Sequence, residues 1–178
     1  LSLLLASTAA RAQPATGDVT AAAAAFQEGQ RAQIAGDYAR AAEFFELADH
    51  AAPSPAALRS AVRSHQAAGH AARAATLALR ARERDAADPQ SAQLADALLA
   101  ELGPRLARVR LACEPACTVS VDQLALDPHA TTAHAFFLEP GARALDVRWA
   151  GRGARARSLD VTAGQQVELQ LDAPPPEA

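Results

Sequence analysis

The fold of this chain is constrained most by the spacing of small, aromatic and helix-breaking residues between Gly29 and Pro53. Gly36 and Asp37 interrupt a helical pattern, and Phe45 follows where the inner face of a second helix would lie. Small residues allow two helix backbones to approach, and proline cannot continue a helix. The pattern therefore predicts two short helices packed antiparallel around one tight turn. Its positions are Gly29, Gly36, Asp37, Tyr38, Ala41, Phe45, Ala48 and Pro53.

A weaker copy of this pattern follows along the chain. Gly69 and Pro89 repeat the two breaks, and Ala74 takes the place of Ala41. The recurrence and its residue types resemble a tetratricopeptide repeat, whose period is about 34 residues. The resemblance implies that residues 22–89 form two helix-pair repeats, a binding scaffold with no chemistry of its own.

A fifth helix is predicted over residues 90–103, with Ser91 as its N-cap. Leu94, Leu98 and Leu102 recur at the spacing of one helix face, as expected of a helix that caps a repeat array. Two repeats and a cap are fewer than the three repeats usually needed for stability. We therefore expect the helices to lean on the second half of the chain or on another subunit.

The apolar period changes from 3.6 to 2 after Gly103-Pro104, and short alternating runs separated by Gly and Pro continue to residue 173. Residues 104–173 are therefore predicted to form an all-β sandwich of six or seven strands. The segments 119–122, 138–141 and 161–164 resemble a PEGA-type domain of bacterial envelope proteins, although Gln123 replaces the usual Gly. The predicted fold class is thus α + β in two domains, with TPR-like helix-pair repeats followed by a small sandwich.

The two ends of the sequence have their own compositions. Residues 1–12 resemble the end of a secretory signal peptide, an apolar run leading to small-x-small, and residues 13–21 are predicted as a linker and the start of the first helix. Residues 174–178 are predicted as a Pro-rich tail. We expect an exported protein of the periplasm or cell envelope of a Gram-negative bacterium, with association with the cell envelope but no membrane span in this chain.

Charge and motif content argue against several classes of function. The net charge is −3, which disfavours nucleic acid as a partner. No serine lies in a nucleophile-elbow setting, and no Gly-rich run could cradle phosphate. The histidine pairs His65/His70 and His129/His134 are each five apart, so we expect solvated loop residues. The prediction is a protein that is not an enzyme, with no catalytic residue, cofactor or metal.

Cys113 and Cys117 are the only cysteines. They could be a redox pair, half of a metal site, or a disulfide across a β-turn. Redox pairs usually have two intervening residues at a helix N-terminus, and a zinc site needs two further ligands at a suitable spacing. In an exported protein the oxidised bond is expected. We predict a Cys113–Cys117 disulfide that contributes about 2 kcal/mol.

A partner-binding face is predicted on the first helices of the two repeats. Arg59 and Arg63 are neighbours at i, i+4, and like charges at this spacing repel unless an anion joins them. An acidic segment or a C-terminal carboxylate of a protein partner would satisfy both, whereas solvation or pairing with Glu28 or Glu43 would explain them without a ligand. The predicted face consists of Gln30, Gln33, Ile34, Arg59, Arg63 and Gln66.

The function these features favour is a non-enzymatic adaptor or scaffold, with the β-sandwich as a spacer or second contact surface. The alternative is a protein that binds envelope polysaccharide through the sandwich, for which Phe136, Phe137 and Trp149 are the available aromatic residues. Arg152, Arg155 and Arg157 could meet an anionic polysaccharide or lipid headgroup, or could be the solvated face of an edge strand.

Overall fold

The computed structural model describes residues 17–175; the signal-peptide prediction and part of the predicted tail lie outside this range. Within this range five α-helices precede a mostly antiparallel arrangement of six strands, so the α + β class is confirmed. The helices are α1 Val19–Ile34, α2 Tyr38–Ala51, α3 Pro55–Ala67, α4 Ala71–Arg84 and α5 Pro89–Leu102, followed by a 3₁₀ turn at Gly103–Arg105. The strands are β1 Ala107–Val121, β2 Leu124–Ala125, β3 Thr131–Leu138, β4 Gly141–Trp149, β5 Gly153–Val161 and β6 Gln166–Asp172.

The helix starts follow from capping side chains. Asp18, Asp37 and Ser54 each accept a hydrogen bond from a backbone N–H in the first turn of the following helix. The N-cap of α5 is Asp88, and the predicted cap Ser91 is wrong. The physical reason is that Pro89 has the fixed φ that suits the first helical position, and Asp88 then accepts from the Ser91 backbone N–H at 3.0 Å.

The first helix pair packs through a small residue against an aromatic ring. A Cβ on Gly29 would lie 2.8 Å from two ring carbons of Phe45, so only glycine permits this approach of α1 to α2. Phe26 packs edge-on against the same ring, with the centroids 5.0 Å apart. The turns after α1 and α3 share one geometry, because Gly36 and Gly69 have φ of +77° and +79°.

The long strand β1 joins the two parts of the β region. Its first half pairs with β3 antiparallel and with β6 parallel. Its second half pairs with β4 and β2, and β5 continues from β4 as an edge strand. An irregularity between Ala112 and Cys117 separates the halves. Side chains from both halves, including Val109 and Val119, share one buried core.

The helices and strands are not separated by a gap in packing. Strand β3 is covered on both faces, with Phe136 in the β core and Phe137 in the helical core together with Leu106. Thr76 of α4 accepts a hydrogen bond from the Phe137 backbone N–H at 3.0 Å. The helices therefore pack against the second half of the chain, through the contact of α4 with β3. In a longer repeat array, another helix pair would occupy the position of β3.

Among the helices of residues 17–175, none combines the length and the apolar character needed to cross a bilayer.

Candidate functional site

A cleft of about 460 Å³ lies between helices α2–α4 and the turn that connects β1 to β2. One wall comes from the helices and includes Glu46, His65 and Arg73. The apolar part of its lining consists of Ala39, Ala72, Val121, Leu124, Ala125, Leu126, Phe137 and Leu138. An open cleft with an apolar lining and a few placed polar groups is the form that ligand and peptide sites commonly take.

The helical wall is organised around the buried carboxylate of Glu46. Its Oε1 lies 2.6 Å from His65 Nε2 and accepts from Arg73 Nε at 3.0 Å, and Arg73 also donates to Oε2. Burial alone would raise the pKa of Glu46, but the hydrogen bonds and charges of His65 and Arg73 outweigh it and lower the pKa to about 2. Glu46 is thus a charged anchor inside the helix packing.

Two arginines of α4 reach from the helices to the loop after β2. Arg73 Nη1 and Arg80 Nη2 donate to the Leu126 carbonyl oxygen at 2.9 and 3.2 Å. Arg80 also pairs with Asp127 at 2.7 Å, and Asp127 is half-buried. Burial would raise the pKa of Asp127, but the His129 backbone N–H and the Arg80 charge lower it. These bonds fix the loop against α4 and so fix the width of the cleft.

The imidazoles of His65 and His70 meet in the lining of the cleft, with their Nδ1 atoms 3.1 Å apart. The expectation that this pair consists of solvated loop residues is wrong for His65, which is buried. Gly69 reverses the chain between them, so the five-residue spacing no longer describes positions on one helix. At least one of the two rings must be neutral for an Nδ1–H to donate to the other Nδ1.

The lining of the cleft carries more carboxylates than arginines. Four carboxylates, one of them the buried Glu46, and two arginines line it. Arg73 is held by Glu46, while Arg143 donates to Asp122 at 3.3 Å and to the Glu139 carbonyl at 3.0 Å. The remaining carboxylates are Glu43, which is exposed, and Glu139, whose Oε1 accepts from the Ala72 N–H at 3.3 Å.

Leu124 projects from a strained turn at the edge of the cleft. Asp122 and Gln123 both have positive φ, +48° and +72°, the conformation of a two-residue hairpin turn that glycine or asparagine usually occupies. Leu124 follows directly and is 76% exposed, although it is a large apolar residue. Strain of this kind persists where the surrounding structure holds it, and it clusters at functional sites.

The residues predicted as a partner-binding face lie elsewhere, and none of them lines the cleft. Gln30, Gln33 and Ile34 are exposed on α1, Ile34 to 88%, and Arg63 and Gln66 are exposed on α3.

Arg59 is already occupied. It pairs with Asp88 and lies 3.2 Å from Ser91 Oγ, so it fastens α3 to the start of α5. The pairing partner is neither Glu28 nor Glu43, the two considered from sequence. Of the predicted arginine pair, Arg63 alone therefore stays exposed for an acidic ligand.

Sequence reasoning missed the Glu46 cluster, although a signal was present. Ala42, Phe45, Glu46 and Asp49 fall at i, i+3, i+4 and i+7, which is the stripe a helix buries. All four are buried. A carboxylate on a buried stripe requires a partner, and Asp49 finds one in Arg84, whose Nη1 and Nη2 donate to its two oxygens at 2.8 Å.

The predicted disulfide between Cys113 and Cys117 is present and confirmed. Trp149 Nε1 donates to the Pro115 carbonyl at 3.0 Å, which holds the intervening loop against β4. His134 of β3 lies beside the bond, with Nε2 at 3.5 Å from Cys117 Sγ and 3.0 Å from the Cys117 carbonyl oxygen. Burial lowers the pKa of His134, although its hydrogen bonds oppose the shift.

Phe136, Phe137 and Trp149 are all buried, at 1%, 8% and 3% exposure. None offers a ring face on which a sugar could stack. Arg155 and Arg157 are exposed on the edge strand β5, and Arg152 lies in the turn before it. Exposed charge on an edge strand discourages pairing with another chain.

No protein-family model and no curated protein matches this chain.

Proposed function

We propose that this protein is a non-enzymatic adaptor that binds a segment of another protein in the cleft between its helices and its strands. The observation that carries the proposal is the cleft itself, with an apolar lining and with Leu124 exposed at its edge. When a partner covers a large apolar side chain that is exposed beside an apolar cleft, binding is favoured by about 25 cal/mol for each Å² of apolar surface removed from water.

The proposal includes the two family resemblances. The helices of residues 22–89 are proposed to be two TPR-like repeats with α5 as a cap, supported by the matching turn geometry at Gly36 and Gly69. The strands of residues 104–173 are proposed to be a PEGA-like domain. Export to the periplasm or cell envelope of a Gram-negative bacterium is proposed as well, and the disulfide is compatible with it.

The charge of the cleft indicates the chemistry of the partner. Both lining arginines are held by carboxylates or carbonyls of this chain, and Glu43 adds an exposed carboxylate to the lining. A segment with a large apolar side chain flanked by Arg or Lys complements this surface. For the separate α1–α3 face the hypothesis is still an acidic partner. Arg63 is the arginine that would bind it, because Arg59 is paired with Asp88.

Site-specific photo-crosslinking tests the proposal and separates the two faces. Benzoylphenylalanine is placed at position 124 for the cleft, at position 34 for the α1–α3 face, and at position 155 on the edge strand as a control. Each variant is irradiated in an envelope extract of the bacterium that encodes the chain, and crosslinked peptides are identified by mass spectrometry.

We expect benzoylphenylalanine at position 124 to crosslink to one discrete partner protein. This crosslink should be lost when Glu43 and Glu139 are changed to Gln. The crosslinked segment should be basic and apolar. An acidic segment at position 124 would refute the charge argument alone. Partners from position 155 only, or from no position, would refute the adaptor function.

The alternative of polysaccharide binding has no observation in its favour, because the three aromatic side chains it needs are buried.

A further inference from the structure

The disulfide has a third potential ligand beside it. Sγ of Cys113, Sγ of Cys117 and a ring nitrogen of His134 all lie within 4.8 Å of one another. Both cysteines are buried, and His134 is half-buried. The sequence prediction of no metal site rested on the absence of two further ligands at a suitable spacing, and β3 brings one histidine to the cysteines from 17 residues away.

We propose that the reduced form of this protein binds one thiophilic divalent cation of the Zn²⁺ type through Cys113, Cys117 and His134. This inference does not depend on the proposed adaptor function. In the oxidised form the two sulfurs are bonded to each other and the site does not exist.

The geometry matches the requirements of such an ion. Bonds of about 2.3 Å to sulfur and 2.0–2.1 Å to nitrogen in a tetrahedron place an S and an N ligand about 3.6 Å apart. The observed separation of Cys117 Sγ from His134 Nε2 is 3.5 Å. The cysteine Cα atoms are 5.9 Å apart, which leaves room for the sulfurs to separate to about 3.8 Å around one ion.

The ion would keep one position for water. His134 is the ligand nearest to solvent, because it is half-buried and lines two surface depressions while both cysteines are buried. Three protein ligands leave the fourth position of a tetrahedral ion open.

The chemistry balances with a phosphine as the reductant. The phosphine gives two electrons to the S–S bond and becomes a phosphine oxide, whose oxygen comes from water, and the two water protons complete the two thiols. Binding of the cation then releases both thiol protons.

His134 must present a lone pair on Nε2. In the oxidised form Nε2 lies 3.0 Å from the Cys117 carbonyl oxygen, and because a carbonyl only accepts, this hydrogen bond assigns the proton to Nε2. On metal binding the proton moves to Nδ1, so the other tautomer is the ligand.

The consequence for the fold is an exchange of one cross-link for another. The disulfide joins two positions of β1 on either side of its irregularity. The metal would join the same positions and add His134, and so would tie β3 to β1 through a side chain.

Cobalt titration tests the inference. The full chain is reduced with tris(carboxyethyl)phosphine, freed of reductant without oxygen, checked for native circular dichroism and titrated with Co²⁺ and then Zn²⁺. The expected result is one equivalent of Co²⁺ with thiolate charge-transfer and tetrahedral ligand-field bands, displaced by Zn²⁺, while the oxidised protein shows neither.

Variants establish which ligands are used. His134→Gln should weaken binding at least tenfold, since loss of outer-shell partners alone costs about 10–100-fold. His134→Cys should restore it, which separates ligation from a purely structural role. His129→Gln is the matched control, because His129 is exposed five residues earlier and should bind as the unaltered chain does.

Three outcomes would overturn the inference. They are no binding by the reduced chain, equal binding by the oxidised chain, or equal affinity of the His134→Gln variant. Loss of the native circular dichroism on reduction, with Co²⁺ failing to restore it, would also count against the site.

Discussion

The ionised Glu46 carboxylate should make this protein lose stability in acid by a predictable amount. The ordinary pKa of the group is 4.5, and in the folded chain it is about 2. At about 1.4 kcal/mol per pKa unit, this difference corresponds to about 3 kcal/mol of folding free energy. The side chain is only 11% exposed, so solvent screening removes little of this value.

The sign follows from which state binds the proton first. Because the folded pKa is depressed, the contribution is fully present above pH 4.5 and is lost as the pH falls toward 2. About 2 kcal/mol should already be gone at pH 3. Glu46→Gln removes the titrating group but keeps its shape and can still bond to His65 and Arg73.

Urea unfolding followed by circular dichroism at pH 6, 5, 4 and 3 measures the effect. The quantity is the difference in unfolding free energy between the unaltered chain and Glu46→Gln, because all other carboxylates cancel in it. At pH 6 the unfolding free energy of the unaltered chain should exceed that of Glu46→Gln. The difference should be smaller by about 2 kcal/mol at pH 3.

Glu43→Gln is the matched control, since Glu43 is exposed on the same helix one turn earlier. The unfolding free energy of Glu43→Gln should stay within about 0.5 kcal/mol of the value for the unaltered chain at every pH. If the Glu46→Gln difference varies as little as the Glu43→Gln difference does, the carboxylate is not held in the way its contacts indicate.

Three further predictions concern stability measured by urea unfolding at pH 7. Gly29→Ala should destabilise by about 1–2 kcal/mol, because the new methyl overlaps the Phe45 ring and the better helix propensity offsets only part of the cost; an unchanged midpoint would show that the ring moves freely. Gln123→Gly should stabilise by about 0.5–1 kcal/mol by relieving positive φ, and a loss of stability would contradict the strain. Replacing Cys113 and Cys117 together by Ser should cost about 2 kcal/mol, and a loss of all structure would show that the bond does more than close a short loop.

The sequence predicted the order and approximate bounds of the elements because local residues decide them. Glycine and proline at Gly36, Pro53 and Gly69 stop helices whatever packs around them, and the alternating runs near β4 to β6 match the observed strands. The helix cap was misplaced by three residues, since Asp88 and Ser91 are both good N-caps and Pro89 decides between them.

The cleft was not predictable in the same way. It depends on contacts such as Arg73 with the Leu126 carbonyl and Thr76 with Phe137, whose partners are 53 and 61 residues apart. Nor does any local pattern indicate that β6 runs parallel to β1. The charged stripe that includes Glu46 did carry a signal, but it indicates only that a partner exists and not which side chain provides it.

The bonds between α4 and the strands decide how a partner would be bound. Arg73 and Arg80 of α4 donate to the Leu126 carbonyl, and Thr76 of the same helix accepts from the Phe137 backbone N–H. A rotation of the helices away from the strands would break all three bonds and expose Phe137, which lies in the helical core. The cleft is therefore preformed, and a partner of the kind proposed above would not have to order the two parts of the chain. Affinity should accordingly respond to side chains that line the cleft, such as Leu124, and respond little to the length or sequence of the short segment between α5 and β1.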